Sequence, residues 1–405
     1  MHLADARVPP VLIASCGAHL VQDGLVALQY VLLPILAQVF GLNYSQVGFL
    51  RAVSNSAMTL LEIPAGVLAE RFSEMRLLIF GLLCAGLGYL WVALAANFYL
   101  ILMGFLIAGS GAAFQHSLAS ALISKSFDDA GRRRALGIYN AFGDVGKLAF
   151  TGVFSLAIGV GIAWNLVVTA LCVVTLSFAL LMLFLLRRQA SLPASDANVD
   201  TDSDDISQRS SSNTGKWGIK QPRRFSWLCL TVFLDTLAQS VFLTFIAFLL
   251  LEKGAGEALS SLAVVLALSG GMVGKLVSGY LAVRYGDRNA FRILQLVTIS
   301  GLMLLAILPA LPILILLPLI GVAVQGSTTV TYGALSDFIR RDRQSRGFAI
   351  IYTLSSLSAV VGPVTFGWLA DLYGVDLSLV ILAVLTTVTL LSGKVLRKSV
   401  ALGAT

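Results

Sequence analysis

The amino-acid sequence predicts an all-α membrane protein with twelve transmembrane helices in two pseudo-symmetric six-helix bundles. Three observations support this: the composition, a series of long apolar runs, and a repeat that relates the two halves. The 405 residues are 57% hydrophobic and 12% charged, with a mean hydropathy of +0.88. Soluble domains carry about 25% charged residues. The composition therefore excludes a cytosolic enzyme and a secreted disulfide scaffold, and lipid is the expected solvent.

The apolar runs are long enough to cross a bilayer. A transmembrane helix needs about 20 mostly apolar residues. Twelve runs meet this requirement, and we call them spans 1 to 12. They cover residues 11–40, 46–69, 77–95, 98–124, 134–159, 163–186, 225–251, 258–283, 291–309, 312–338, 346–372 and 377–395.

The one long polar stretch divides the chain between spans 6 and 7. Residues 188–224 are rich in Ser and Asp and contain almost no aliphatic side chains. Such a composition cannot bury a core, so it predicts a disordered cytoplasmic linker. The expected domains are an N-terminal bundle at 1–187 and a C-terminal bundle at 225–405.

The positions of the basic residues predict the topology. If the N-terminus is cytoplasmic, all but four of the 28 Lys and Arg residues fall in cytoplasmic segments. The exceptions are Lys253, in a loop on the other side, and Arg51, Lys147 and Lys275 within spans. This bias follows the positive-inside rule. It predicts a multi-pass protein of the inner (cytoplasmic) membrane with both termini cytoplasmic, and it explains the net charge of +7 without nucleic-acid binding.

The second half of the chain repeats the first. A shift of 213 residues places GVLAER at 66–71 on GYLAVR at 279–284, and the Ile-Tyr pair at 138–139 on the pair at 351–352. A nearby shift places His116 on Tyr332. The matches occur in the same order and at the same positions in each half, which indicates a duplicated six-helix unit.

The G-x-L-A-[DE]-R loop between spans 2 and 3 resembles the signature of the major facilitator superfamily. The second copy carries Val283 in place of the acidic residue. The resemblance implies the major facilitator fold and transport by alternating access. It also implies a gating role for the loop residues Gly66, Glu70, Arg71, Gly279 and Arg284.

Within that superfamily, the first half is similar to the fosmidomycin-resistance-type exporters. The similar segments are AHLVQD at 18–23, GSGAAF at 109–114 and the arginine-rich turn before span 5. The chain departs from the family at FQHS (114–117) and at GDVGK (143–147). Because these departures fall where substrate should bind, the substrate of that family need not carry over. The resemblance favours export over import.

Several ionisable groups lie inside the spans. A charge at a helix centre costs about 2.5–3.5 kcal/mol on insertion scales, so such groups usually face a cavity or a partner. At about 1.5 Å per residue, six of these groups share one layer between the midplane and the cytoplasm, while Arg51 lies in the outer third. The six are Asp23, Glu62, His116, Asp144, Asp235 and Lys275.

The four acids of this layer, Asp23, Glu62, Asp144 and Asp235, are the predicted proton-coupling residues. Asp23 is the prime candidate, because no basic residue lies within one helical turn of it. Transporters of this architecture bind substrate near the midplane between the repeats. The candidate substrate-binding residues are His19, Gln22, Tyr30, Arg51, Gln115, His116, Tyr139, Asn140, Lys147, Gln239, Lys275, Gln325, Tyr332 and Tyr352.

Purely structural roles remain open for some of these residues. Asp144 and Lys147 are three residues apart on one helical face and would form a neutral pair. His19 and Asp23, four residues apart, would form a hydrogen-bonded pair. Arg51 would snorkel or hold an outer gate. Glu62 would brace the signature loop.

The predicted function is a proton-coupled exporter (an antiporter) of a small polar or anionic organic compound or drug. No phosphate-binding loop, GxSxG or HExxH motif is present, so we expect no enzymatic activity and no cofactor. The expected partners are the substrate, protons and the lipid bilayer, and we expect a monomer. Three alternatives stay open: a proton symporter importing an organic acid or sugar, an exporter of a metal ion or chelate, and a non-transporting receptor of the same fold. The metal alternative draws on His19, Asp23, His116 and Asp144, but no spacing among them enforces a coordination geometry.

Overall fold

The computed structural model describes residues 10–127, 129–190, 219–340 and 344–396, and these residues are almost entirely α-helical. The predicted all-α class is confirmed. The helices are α1 (Pro10–Phe40), α2 (Tyr44–Leu68), α3 (Glu74–Ala93), α4 (Phe98–Ala112), α5 (His116–Ser126), α6 (Asp129–Gly159), α7 (Trp164–Ala190), α8 (Pro222–Glu252), α9 (Glu257–Tyr285), α10 (Asp287–Ile307), α11 (Ala310–Phe338) and α12 (Gln344–Ser392).

These helices supply the predicted spans. Ten stretches of the described residues are long and apolar enough to cross a membrane. One of them, Ile350–Val395, contains spans 11 and 12, because α12 is interrupted at Gly374, which has a positive φ of 79°. Span 4 is divided into α4 and α5 by a break at residues 113–115. The 25-residue helix α2 covers predicted span 2 but is not one of these ten stretches.

The outer surfaces of the helices are apolar, as a bilayer requires. Leu156, Ile315 and Val384 are between 60% and 79% exposed, on three different helices. Exposed apolar patches of this kind are unfavourable in water but are solvated by lipid chains. Because the backbone of each crossing is helical, its polar groups are satisfied within the segment.

Two equivalent helix pairs join the bundles. The helix α2 packs against α12, and α6 packs against α9. Under the repeat, span 2 corresponds to span 8 and span 5 corresponds to span 11, so the two interfaces are counterparts. At the first interface, a Cβ on Gly48 would lie 2.1 Å from the carbonyl oxygen of Pro363, so only glycine permits this approach. The contacts agree with the predicted pseudo-symmetry.

The bundles are held together at the end opposite the arginine-rich segments, which we call the closed end. The backbone amides of Tyr44 and Ser45 donate to the carboxylate of Asp371 at 2.7 and 2.9 Å. We call this contact the Asp371 latch. At the same end, the Tyr44 hydroxyl donates to Glu252 at 2.5 Å. These bonds connect the first turn of α2 to the second bundle.

The predicted linker is only partly covered. The helix α7 ends at Ala190 and α8 begins at Pro222, three residues before the predicted start of the second bundle. Residues 191–218, which carry the Ser- and Asp-rich sequence, lie outside the described residues. The linker therefore stays a prediction.

Candidate functional site

Two glycines bring α6 against α1 and so build the site. A Cβ on Gly146 would lie 2.0 Å from the carbonyl oxygen of Leu20. A Cβ on Gly143 would lie 2.5 Å from the His19 ring and 2.9 Å from Oδ2 of Asp23. The absence of these side chains allows Asp144 and Lys147 to lie beside the polar face of α1.

Four charged side chains form a chain of ion pairs, which we call the charge network. Lys147 Nζ lies 3.1 Å from Asp23 Oδ2 and 3.2 Å from Asp144 Oδ1. Lys275 Nζ lies 2.7 and 2.6 Å from the two carboxylate oxygens of Asp144. Because Lys275 belongs to α9, the network links the two bundles, and its two acids and two bases balance formally.

Two histidines flank Asp23. His19 is 3% exposed, and its Nδ1 lies 2.8 Å from the carbonyl oxygen of Tyr139. A carbonyl only accepts hydrogen bonds, so Nδ1 carries the hydrogen. The Nε2 of His19 faces Asp23 Oδ2 at 3.3 Å, and the Nε2 of His116 faces Asp23 Oδ1 at 3.7 Å. Both Asp23 oxygens therefore have cationic or imidazole neighbours.

A central cavity in two parts lies between the bundles. One part has a volume of about 370 Å³ and the other about 500 Å³. Asp23, His116, Lys147, Thr328 and Tyr332 line both parts, so the parts adjoin at the charge network. Its size is adequate for a small organic molecule.

Arg51 lines the smaller part of the cavity as a buried cation. Its guanidinium donates to Gln29 and, at 2.5 Å, to the Tyr30 hydroxyl, and it lies 4.1 Å from the Tyr30 ring centroid. Its other acceptor is the carbonyl of Val26 at 3.4 Å. None of the ion pairs formed by the described residues includes Arg51, so its charge adds one positive unit to the otherwise balanced cavity.

Only part of the predicted layer of ionisable groups converges. Asp23, His116, Asp144 and Lys275 meet at the cavity, whereas Asp235 and Glu62 do not line it. Asp235 is buried inside the second bundle, where Gln295 Nε2 and Ser327 Oγ donate to its Oδ1 at 2.5 and 2.7 Å. Glu62 is half-buried near the arginine-rich end of α2. The proton-coupling roles assigned to these two acids stay predictions.

The neutral candidate residues divide between the cavity and its supports. Gln239, Gln325 and Tyr30 line the smaller part, and Asn140 lines the larger. The amide of Gln115 donates to the Tyr139 hydroxyl at 3.3 Å, behind His19.

Three further candidates complete this set. Tyr332, the repeat counterpart of His116, exchanges a hydrogen bond of 2.8 Å with Ser355. Tyr352 packs edge-to-face on Tyr332 at 5.5 Å and is 54% exposed. Gln22 is buried in α1 away from the cavity lining.

The signature-loop residues lie away from the cavity, at the arginine-rich end. Gly66, Glu70 and Arg71 are exposed, and Gly279 is half-buried. Arg284 donates to the Tyr280 hydroxyl at 2.8 Å. Their gating role stays a prediction.

Sequence reasoning missed several polar lining residues, including Asn55, Thr236 and Thr328. Asn55 Nδ2 donates to the carbonyl oxygen of Ala359 at 2.9 Å and so connects the bundles. Helical spacing could have found two of them. Asn55 lies four residues after Arg51 and Thr328 lies three after Gln325, and both spacings place the pair on one face.

Comparison with known proteins agrees with this architecture. Residues 16–224 and 228–400 match the sequence profile of the Major Facilitator Superfamily. The uncharacterized MFS-type transporter YfnC of Bacillus subtilis (strain 168) is 28% identical over 177 residues, which are 42% of each chain. The matched region therefore spans less than half of that relative's length.

Two solved structures have the same fold. A bacterial homologue of the human lysosomal transporter Spinster, in an inward-facing and unoccupied conformation, superposes with a TM-score of 0.72 at 16% identity, covering 96% of this chain and 98% of that one. The nucleoside transporter NupG superposes with a TM-score of 0.75 at 13% identity, covering 95% and 98%. Because the family profile matches most of its length, the chain belongs to the major facilitator superfamily of membrane transporters.

Proposed function

We propose that the protein is a proton-coupled transporter of a small organic anion, with both termini in the cytoplasm and the cytoplasmic membrane as its location. The observation that carries this proposal is the charge network, which lies in the central cavity and joins the bundles that alternating access must move. Asp23 is the proton-binding residue, and Arg51 with Lys147 binds the anion.

The charge balance supports an anionic substrate. The charge network is formally neutral, and Arg51 adds one uncompensated positive charge to the same cavity. In a low-dielectric site an unpaired buried charge is costly. An anion such as a carboxylate restores neutrality and offers the guanidinium a bidentate partner.

The same geometry supports symport over antiport for a simple anion. Lys147 is held 3.1 Å from Asp23. Protonation of Asp23 releases Lys147, which then becomes available to the substrate anion. Proton and anion therefore favour each other's binding, and this is the thermodynamic requirement of symport, the first alternative predicted from the sequence.

The antiporter predicted first from the sequence is the second candidate. The similarity of the first half to fosmidomycin-resistance-type exporters favours it. Antiport requires that substrate and proton compete for one site. A substrate that presents a cationic group or a hydrogen-bond donor to Asp23 meets this requirement, whereas a simple anion does not.

Transport in proteoliposomes tests the proposal. Radiolabelled small carboxylates are supplied to oriented vesicles under an imposed pH gradient, with Asp23→Asn compared to the wild type. We expect Asp23→Asn to lose gradient-driven accumulation and to keep exchange counterflow, since asparagine, like protonated aspartate, is uncharged and leaves Lys147 available to the anion.

The control and the contrary outcomes are defined by the same assay. Asp376→Asn removes an acid at the closed end, 3.1 Å from Lys253 and away from the cavity, and should transport normally. Gradient-driven accumulation by Asp23→Asn at the wild-type level would exclude Asp23 as the coupling residue. Accumulation of the carboxylate on the side toward which protons flow supports symport. Accumulation on the side from which protons flow supports antiport.

A further inference from the structure

We propose that His19, Asp23 and His116 form a binding site for a divalent transition-metal ion of the zinc class, which opens on the central cavity. One nitrogen or oxygen atom from each of the three residues lies within 4.8 Å of the other two. Two imidazoles and a carboxylate are a ligand set that suits Zn²⁺ and its neighbours. The site shares Asp23 with the proposed proton-coupling function, but its test measures metal binding and does not depend on that coupling.

The separations of the ligand atoms fit one ion. Zinc binds imidazole nitrogen and carboxylate oxygen at about 2.0–2.2 Å, so two tetrahedral ligands are about 3.3–3.6 Å apart. His19 Nε2 and Asp23 Oδ2 are 3.3 Å apart, and His116 Nε2 and Asp23 Oδ1 are 3.7 Å apart. Because the two imidazoles face different oxygens of Asp23, and the three ligand atoms lie within 4.8 Å of one another, binding of one ion draws the three side chains together by rotation.

The orientation of His19 is that of a metal ligand. Its Nδ1–H donates to the carbonyl oxygen of Tyr139 at 2.8 Å, which is the outer contact that fixes metal-binding histidines. The opposite nitrogen, Nε2, is buried and makes no hydrogen bond. In a neutral imidazole this nitrogen presents a lone pair to the Asp23 carboxylate. A cation between the two atoms removes this repulsion and satisfies both.

Two neighbours make room for the ion. Gly143 leaves open the space beside His19 and Asp23 that a Cβ would fill. Lys147 now neutralises Asp23, but it also lies 3.2 Å from Asp144. A bound metal therefore displaces the Lys147 ammonium toward a carboxylate that is already within reach.

The fourth coordination position faces the cavity. The side chain of His116 is 48% exposed, and both His116 and Asp23 line the two parts of the cavity. Water or an oxygen atom of an anionic substrate can occupy this position. Entry of the ion from the cavity needs no opening of the first bundle.

Calorimetric titration of the purified protein with Zn²⁺ alone tests the site. The protein carries a purification tag without histidine, in detergent and a buffer that does not bind metals. We expect saturable binding of one ion and, with Co²⁺ in its place, the visible absorption of a tetrahedral complex. Loss of an outer contact typically costs 10–100-fold in metal affinity, so His116→Ala should weaken binding at least ~10-fold.

Two further variants separate this site from incidental binding. Lys147→Gln removes the competing cation and should tighten Zn²⁺ binding, a gain that no unrelated surface site would show. His2→Ala removes the remaining histidine of the chain and should leave the affinity unchanged. His116 is half-exposed, so its replacement should not unfold the protein.

The contrary results are equally clear. Absence of saturable Zn²⁺ binding in the wild type would refute the site. So would a Zn²⁺ affinity equal to that of the wild type in both His116→Ala and Lys147→Gln. Either result would leave the Asp23→Asn transport assay unaffected, because that assay contains no metal.

Discussion

Removal of the Asp371 carboxylate should open the closed end of the protein. The first amides of a helix have no partner within the helix. In α2, the amides of Tyr44 and Ser45 bond to Asp371, and that of Gln46 bonds to the side chain of Asn43. The second bundle therefore supplies part of the N-terminal cap of α2. While the two bundles stay in contact at the closed end, Asp371→Ala leaves the amides of Tyr44 and Ser45 without an acceptor.

The size of the effect follows from the capping geometry. Loss of a side-chain cap costs about 0.5–2 kcal/mol, and a negative charge at a helix N-terminus contributes about 0.3–1 kcal/mol. Asp371 is exposed, so we take about 1 kcal/mol. The variant loses this capping energy in the conformation in which the bundles touch at the closed end. In the separated conformation water solvates the amides in both proteins, so the variant loses nothing there. The population ratio should shift roughly fivefold toward the open conformation.

Spin-label distances across the closed end measure this shift. Labels at positions 96 and 311 lie on different bundles, beside the starts of α4 and α11. In a background without the native cysteines, Asp371→Ala should increase the population of long distances. Asp376→Ala is the matched control, because its partner Lys253 belongs to the same bundle. An unchanged distance distribution in Asp371→Ala would refute the capping argument.

Three other perturbations have defined outcomes. Gly143→Ala should lower the melting temperature, because the added Cβ would lie 2.5 Å from the buried His19 ring and overpacking costs about 1–3 kcal/mol. Gly152→Ala is the control, because a Cβ there has nothing within 4 Å. Equal melting temperatures for the two variants would contradict the packing argument. Asp144→Asn and Lys275→Gln should each impair transport, because each leaves the charge network unbalanced, and the double variant should regain part of the lost transport activity. Strictly additive losses would argue against an Asp144–Lys275 ion pair. Arg51→Gln should weaken binding of an anionic substrate at least ~10-fold and binding of a neutral analogue much less, as measured by thermal shift; equal losses would give Arg51 a structural role.

The fold could be predicted because its signals are local. Apolar runs of about 20 residues and the one-sided distribution of arginine need no knowledge of tertiary contacts. The interruptions of the helices were harder to predict. The break at 113–115 divides span 4, although its apolar pattern continues. The positive φ of Gly374 separates spans 11 and 12 by a single residue where the sequence predicted a loop of four.

The site could be predicted only in part, because depth along a helix does not give rotation about its axis. Asp23 and Asp235 lie at similar depths, yet Asp23 faces the cavity and Asp235 faces Gln295 within its own bundle. The spacing of Asp144 and Lys147 correctly indicated a contact, but the sequence gives no sign that each has a second partner. Those partners depend on the close packing of α6 on α1 and on α9.

The charge network is distributed unequally: three of its members belong to the first bundle, and Lys275 alone belongs to the second. When the halves of the molecule rock apart, a single ionic bond has to break. Asp144 and Asp23 then share Lys147 as the one counterion of the network that stays in the first bundle. Separation therefore leaves one excess negative charge among the three members in the first bundle and one lysine in the second, so opposite charges face each other across the parting interface.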